Sequence, residues 1–289
     1  MKSFCIKTNN HEIINYLLDS FLEIDLDFVY LSHRNFAIYE NIILHYKGFE
    51  LEKFYKAFSE ILCNCIITFY EAVLIKKIIS TDYFYFSELE KKQILDLCIN
   101  ILEDNDEDYI YREEIIQDSI YDYIVCEKSM ILDGFIRFRL YDYIKLLDSV
   151  VDIAVNRFLI EKEYLEFINI LRIYVNSGSS TNDIVHLIYN ENNVTLVDEN
   201  KKLIPIEDEV FKAKYLSDIS FSKNDYILNT LLNILPNKII IHSSLNDEFI
   251  NTLKLIFESR ISICHDCHIC QIYNNLGKMD GSHFHSLWK

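Results

Sequence analysis

The spacing of hydrophobic and polar positions changes twice along the chain between strand-like and helical periods. The first change marks the end of a short N-terminal segment at residue 48. Residues 3–7 alternate as a half-buried strand does. Residues 13–21 place apolar side chains three and four positions apart, which is typical of a helix with one buried face. Residues 28–31 and 37–46 resemble two further strands. The pattern therefore predicts a small β-α-β-β unit.

The middle of the chain, residues 49–178, has helical periodicity almost throughout. The apolar-rich segment 49–79 predicts a long helix that is broken once. Ser87 and Glu90 form a capping box, in which each side chain satisfies a free backbone N–H of the first helical turn. Residues 135–158 have only a narrow polar stripe, so other elements must surround this helix. We predict that it is the central helix of the core and that it continues or kinks into a further helical run at residues 161–174.

Strand-like periods return after residue 180. Residues 185–189 and 194–197 flank a polar loop and predict a hairpin. Ser222 and Asp225 form a second capping pair, which opens a helix that must end before Pro236.

The segment 238–264 has the order strand, helix, strand. We assign the strands to residues 238–241 and 260–264, and Ser244 and Asp247 cap the helix between them. A connection of this length permits a parallel pair of strands.

Together these elements predict an α+β protein with a large helical central region packed with a mixed β-sheet built from the N- and C-terminal segments. The predicted parts are a small α/β unit at residues 1–48, a helical region at 49–178 and a C-terminal α/β region at 179–270. Residues 271–289 are polar, and we expect them to form a mobile tail.

Composition narrows the possible functions of this 289-residue chain. Its formal net charge of -17 argues against binding to nucleic acid or to an anionic membrane surface. Five glycines leave little material for a phosphate-binding loop. Residues 103–108 form an acidic run that predicts a solvated linker. The N-terminus lacks the apolar core of a signal peptide, and uninterrupted apolar runs are short. These features predict a cytoplasmic protein without a membrane span.

Three blocks of the sequence resemble the YtxC-like sporulation proteins. Residues 135–175 (FIRFRLYDYIKLLDSVVDIAVNRFLIEKEYLEFINILRIYV) are similar to the central block of that family. Residues 81–95 (TDYFYFSELEKKQIL) and 237–270 (NKIIIHSSLNDEFINTLKLIFESRISICHDCHIC) are similar to the blocks on either side. The resemblance extends over residues 50–270. It implies a soluble protein of endospore-forming bacteria that is associated with sporulation, with no defined molecular activity and no catalytic residues to assign.

The sharpest chemical signal is the C-x-x-C-x-x-C motif of Cys264, Cys267 and Cys270. Three thiols held close together in a loop can bind Zn²⁺ or an iron–sulfur cluster. His283 or His285 is the expected fourth ligand, and a set of three sulfurs and one nitrogen favours Zn²⁺ over iron–sulfur. The spacing of the two histidines departs from the zinc-finger pattern, and the Cys-Pro of bacterial ferredoxins is missing. The alternatives are a redox dithiol or thiols that only fill space at the end of a strand.

Other candidates have simpler interpretations. Asp148 and Asp152 are four positions apart on the predicted central helix, and we interpret them as part of a solvated or salt-bridged stripe. His186 and His242 lie in apolar strand-like runs, where a hydrogen-bonded core histidine is the usual outcome. The remaining cysteines are expected to be buried structural thiols: Cys5, Cys63, Cys65, Cys98 and Cys126.

The leading hypothesis is a cytoplasmic, non-enzymatic, sporulation-associated protein that acts through contacts with an unidentified protein partner. The alternative is a metal-binding or redox-responsive protein that uses Cys264, Cys267 and Cys270. A carboxylate enzyme that uses the region of Asp148 and Asp152 is the third and weakest hypothesis.

Overall fold

The computed structural model describes residues 2–103, 111–178, 183–190, 193–206, 222–243, 247–264, 267 and 270. It confirms the α+β class. The chain divides into two compact units, Met1–Glu161 and Lys162–Lys289. The predicted boundaries at residues 48, 178 and 270 stay predictions.

Within its described residues, the first unit contains four strands and most of the helices. The strands are β1 (Lys2–Thr8), β2 (Val29–Asn35), β3 (Glu40–Tyr46) and β4 (Ser129–Ile131). The helices are α1 (His11–Leu22), α2 (Leu51–Ile66), α3 (Ala72–Asp82), α4 (Glu88–Glu103), α5 (Tyr111–Cys126), α6 (Leu132–Arg139) and α7 (Tyr141–Ser177), and the boundary between the units falls within α7.

The sheet of the first unit has the strand order β2-β3-β1-β4. The predicted β-α-β-β order is confirmed, and β1–β3 and β2–β3 are both antiparallel pairs. Strand β4 pairs in parallel with β1. It was not predicted from the sequence, because three residues are too few to display a period. Phe4, Ile42 and Leu44 lie on the inward face of this sheet and are almost completely buried.

Helices of the middle region fill the core of the first unit. The predicted break within residues 49–79 is a π-helical turn at Ile67–Glu71. The capping box of Ser87 and Glu90 is confirmed. The continuous helix predicted from residue 135 is wrong in one respect. The chain leaves helical geometry at Leu140 (φ -93°, ψ 45°), which separates α6 from α7.

One helical stretch, Leu51–Asp82, is long and apolar enough to cross a membrane by length and composition. Its most apolar window has a mean hydropathy of 1.6 and is 39% buried. The core helix of a soluble protein meets the same criteria. Phe58 and Leu62 of this stretch are completely buried among the other core residues of the first unit, which is typical of such a helix.

The cysteines outside the C-x-x-C-x-x-C motif differ in burial. Cys63, Cys65 and Cys98 are buried, as predicted, and burial raises the pKa of each thiol to about 12. The prediction is wrong for the other two. Cys5 is half-buried because it lies on the outward face of β1, and Cys126 is exposed at the last position of α5.

The second unit contains a five-stranded sheet with the order β7-β6-β5-β8-β9. Its strands are β5 (Ile184–Asn190), β6 (Asn193–Asp198), β7 (Leu203–Ile204), β8 (Lys238–His242) and β9 (Ile261–Ile263), and its helices are α8 (Lys223–Ile234) and α9 (Glu248–Phe257). The predicted hairpin is the antiparallel pair β5–β6, and the predicted parallel pair is β8–β9. Strands from the two ends of the chain therefore form two separate sheets.

The helix caps of the second unit agree in part with those predicted from the sequence. Ser222 and Asp225 form the predicted capping box at the start of α8. Asp247 itself is the N-cap of α9 and accepts a hydrogen bond from the backbone N–H of Phe249. The predicted cap at Ser244 lies outside the described residues, as do residues 104–108 of the acidic linker, the tail 271–289 and its two histidines.

Candidate metal centre

The ends of two parallel strands position the first two side chains of a sulfur–nitrogen cluster. Ile241 of β8 is paired with Ile263 of β9, so His242 and Cys264 follow at the same level of the sheet. The backbone N–H of Cys264 donates to the carbonyl oxygen of Ile241 at 2.9 Å and extends this pairing by one residue. Because carboxyl ends of parallel strands share one edge, both side chains are presented there.

Cys267 and Cys270 complete the cluster from the segment that follows β9. The Sγ of Cys270 lies 3.7 Å from the Sγ of Cys264 and 3.7 Å from the Sγ of Cys267. The Nδ1 of His242 lies 3.2 Å from the Sγ of Cys270 and 3.5 Å from the Sγ of Cys267. These four ligand atoms all lie within 4.8 Å of one another.

Most of these separations fall in the range expected between ligands of one tetrahedral ion. With Zn–S bonds of about 2.3 Å and Zn–N bonds of about 2.0–2.1 Å, neighbouring ligand atoms are roughly 3.5–3.8 Å apart. Three of the four separations lie between 3.5 and 3.7 Å, and the one between His242 Nδ1 and Cys270 Sγ is shorter, at 3.2 Å. The group could therefore hold one metal ion, with every ligand supplied by this chain.

The imidazole of His242 is buried and neutral, which is the state that binds a metal. Burial, followed by the neighbouring His186, lowers its pKa to about 4. A neutral imidazole keeps a lone pair on one nitrogen, and here the nitrogen that faces the thiols is Nδ1.

The other ring nitrogen of His242 is held by His186. The Nε2 of His242 and the Nδ1 of His186 are 2.9 Å apart, and the two rings are stacked with centroids 5.2 Å apart. If Nδ1 of His242 binds a metal, its Nε2 carries the proton and donates to His186. Metal-bound histidines commonly have such a partner, which fixes the tautomer and the orientation of the ring.

The thiols are electrostatically unfavourable as free anions. Partial burial and the neighbouring sulfurs of Cys267 and Cys270 raise the pKa of Cys264 to about 12. Three thiolates this close would repel one another strongly, and a divalent cation at their centre would offset that repulsion.

The structure brings together three of the four predicted ligands. Cys264, Cys267 and Cys270 lie side by side, whereas His283 and His285 are outside the described part of the chain, and their role stays a prediction. The interpretation of His242 as a hydrogen-bonded core histidine is confirmed, since it is buried and bonded to His186, but the pattern did not predict that its Nδ1 also faces the thiols. The predicted parallel pair of strands, 238–241 and 260–264, is the signal that could have identified this role, since His242 follows the first strand and Cys264 ends the second.

The carboxylates of α7 form no comparable site. Asp148 and Asp152 are both exposed, which agrees with their interpretation as a solvated stripe. Asp152 accepts a hydrogen bond from the hydroxyl of Tyr83 at 2.6 Å.

Fold and site define an α+β protein with a group of three cysteines and one histidine at the carboxyl edge of its C-terminal sheet. The chain belongs to the YtxC-like family, whose model matches residues 56–262. It is 24% identical over 198 residues to the "Uncharacterized protein YtxC" of Bacillus subtilis (strain 168), covering 64% of this chain and 68% of that protein. No solved structure matches the chain. His242 lies inside the matched span, and the three cysteines lie just beyond the end of that span, beginning at Cys264.

Proposed function

We propose that this protein binds one Zn²⁺ ion through His242, Cys264, Cys267 and Cys270, and that the ion has a structural role. The observation that carries the proposal is the convergence of three Sγ atoms and one Nδ1 atom within 4.8 Å. Four protein ligands complete the tetrahedral shell of zinc and leave no open position for a substrate, which is the pattern of a structural site.

The spacing of the sulfurs favours a single ion over an iron–sulfur cluster. In a cubane cluster each cysteine binds a different iron, so the cysteine sulfurs stand farther apart than two ligands of one ion do. Sulfur–sulfur distances of 3.7 Å fit the shared-ion geometry. Among single ions, a set of three thiolates and one imidazole suits Zn²⁺.

The ion would join two strand ends to the segment that follows them. His242 is at the end of β8, Cys264 follows β9, and Cys267 and Cys270 lie beyond it. Zinc at this point therefore stabilises the pairing of β8 with β9 and fixes the path of the chain after β9.

The direct test is the metal content of the full chain purified without oxygen. We expect about one Zn²⁺ per chain and a colourless protein. Replacement of the zinc by Co²⁺ should give the visible bands of a tetrahedral thiolate site. The Cys267→Ser variant should lose most of the metal, and the matched control Cys126→Ser, at an exposed cysteine in the first unit, should retain it.

Two outcomes would overturn the zinc assignment. A brown protein that absorbs near about 400 nm would show an iron–sulfur cluster and reopen a redox function. If protein refolded with excess Zn²⁺ contained no metal, the cysteines would be assigned a space-filling or dithiol role instead.

At the level of the cell, we infer a cytoplasmic, sporulation-associated protein that acts through contacts with other proteins. The support is membership of the YtxC-like family and the sporulation association that the sequence resemblance implies. Deletion of the gene in its own host should lower the titre of heat-resistant spores without slowing vegetative growth. Reintroduction of the gene should restore the titre. An unchanged titre would argue against this role.

A further inference from the structure

The sheet of the first unit buries one face and leaves the other uncovered by its own core. The strand registers place the odd-numbered residues of β1, β3 and β4 and the even-numbered residues of β2 on the same side, opposite the buried Phe4 and Leu44. We call this side the outer face. All its residues are exposed or half-buried, and Tyr30 is 50% exposed.

The charge of the outer face is opposite to that of the whole chain. Lys7 and Arg34 lie on it, and Lys47 follows β3 with its Nζ 4.8 Å from the centroid of the Tyr30 ring. The chain has 45 acidic residues against 28 basic ones, yet no Asp or Glu occupies an outward position in these four strands, all of which the structure describes. The patch is therefore complementary to negative charge.

Strand β2 adds an open edge to this charged face. It pairs with β3 on one side, and no strand of the described part of the chain pairs with it on the other. Phe28 and Phe36, directly before and after the strand, are 58% and 55% exposed. An edge strand offers a row of backbone N–H and C=O groups to which an extended peptide can add as a further strand.

We propose that the edge of β2 binds an extended acidic segment of a partner protein, whose carboxylates pair with Arg34 and Lys47 on the outer face. This rests on the protein-contact role inferred above and is independent of the zinc site in the second unit. A peptide satisfies both features, since its backbone pairs with the strand edge and its side chains meet the cations. An oligonucleotide has no backbone that can extend a sheet, and the net charge of -17 opposes it.

The test uses the full chain and a fluorescein-labelled peptide of alternating valine and glutamate. Its fluorescence anisotropy should report saturable binding that weakens as salt is added. A matched peptide of alternating valine and lysine should not bind. N-methylation of alternate residues of the acidic peptide removes the N–H groups along one of its edges, so one of the two methylated forms should lose binding.

Variants locate the site on the protein. Arg34→Glu combined with Lys47→Glu should lower the affinity for the acidic peptide by about tenfold or more. Lys92→Glu, at an exposed lysine of α4, is the matched control and should leave the affinity within about twofold, because this lysine belongs to a helix and to none of the four strands. The zinc content of the double variant should equal that of the unmodified chain, so the outcome does not depend on the metal proposal.

Each of the following results would overturn the proposal. Equal binding of both peptides, or binding that survives both the double charge reversal and N-methylation, would exclude the β2 edge. Tighter binding of single-stranded oligothymidine than of the acidic peptide would assign the face to nucleic acid. Self-association in sedimentation that the double variant abolishes would assign it to a second copy of this chain. A partner pulled from sporulating cells equally well by the double variant would leave the protein-contact role standing on a different surface.

Discussion

The two units of this protein bury their apolar residues in different ways. The first unit has a large core, to which α2, α5 and α7 contribute fully buried side chains such as Phe58, Ile116 and Leu147. Among the residues that the structure describes, the second unit has the smaller core, centred on Leu187, Ile241 and similar residues. A small core rarely supplies enough free energy by itself, and small folds often add a metal or a disulfide. The cysteine–histidine group lies in the unit whose described core is the smaller of the two.

The largest expected effect comes from removing the zinc. A strong chelator should raise amide hydrogen exchange in β8, β9 and α9, because structural zinc contributes on the order of several kcal/mol to the stability of the site it holds. Exchange in α2 of the first unit should not change. Mass spectrometry of peptides from the two units measures the exchange in each. Equal increases in exchange in both units would contradict the proposal that zinc stabilises the second unit alone.

A smaller effect is expected from the partner of the ligand histidine. His186→Phe keeps an aromatic ring beside His242 but removes the hydrogen-bond acceptor, so zinc affinity should fall about 10–100-fold. His186→Asn offers an amide oxygen near the position of the lost nitrogen and should restore part of the affinity. Competition with a chromogenic chelator measures both variants.

The matched control for His186 is His45→Phe in the first unit, where the Nδ1 of His45 lies 2.7 Å from the hydroxyl of Ser3. Zinc affinity should not change in this control. An unchanged affinity in His186→Phe would show that the hydrogen bond to His242 does not orient the ligand.

The smallest expected effect belongs to a buried polar group of the first unit. The hydroxyl of Tyr143 donates to Oε2 of Glu71 at 2.8 Å. Burial raises the pKa of Glu71 above its usual 4.5, and this hydrogen bond opposes the shift. Tyr143→Phe should therefore raise that pKa further and lower the free energy of unfolding by about 1–2 kcal/mol at neutral pH.

The pH dependence of this loss follows from the direction of the shift. Burial favours the protonated Glu71 in the folded state, so the cost of ionising it is present above its folded pKa and disappears below the unfolded value of 4.5. Urea unfolding should show a larger difference between Tyr143→Phe and the unmodified chain near neutral pH than near pH 4.5. Tyr123→Phe, whose hydroxyl donates to the neutral carbonyl of Ser129 at 3.2 Å, is the control and should show no such dependence.

Much of the fold follows from local patterns, since the β5–β6 hairpin and the capping boxes are encoded in neighbouring residues. The break at Leu140 was not foreseen, because an apolar residue there continues the helical period of residues 135–158. Strand β4 was not predicted for a related reason, since its three residues are defined as a strand only by pairing with β1.

The candidate site shows the same limit. The three cysteines are close in sequence, so their spacing alone predicts a site. His242 is 22 residues before Cys264 and lies in an apolar run that resembles any core strand. Only the register of β8 against β9 places its ring beside the thiols. Ligand identity therefore required a non-local pairing that periodicity does not specify.

The distance along the chain between ligands has a further consequence. With zinc bound, His242 and Cys270 are cross-linked across a separation of 28 residues that contains α9 and β9. A disulfide across such a loop would persist in the unfolded chain, whereas a metal ion dissociates when the ligands separate. Its contribution therefore grows with the free ion concentration, by about 1.4 kcal/mol for each tenfold rise above the dissociation constant. The melting temperature of the second unit would then follow the zinc available in its surroundings.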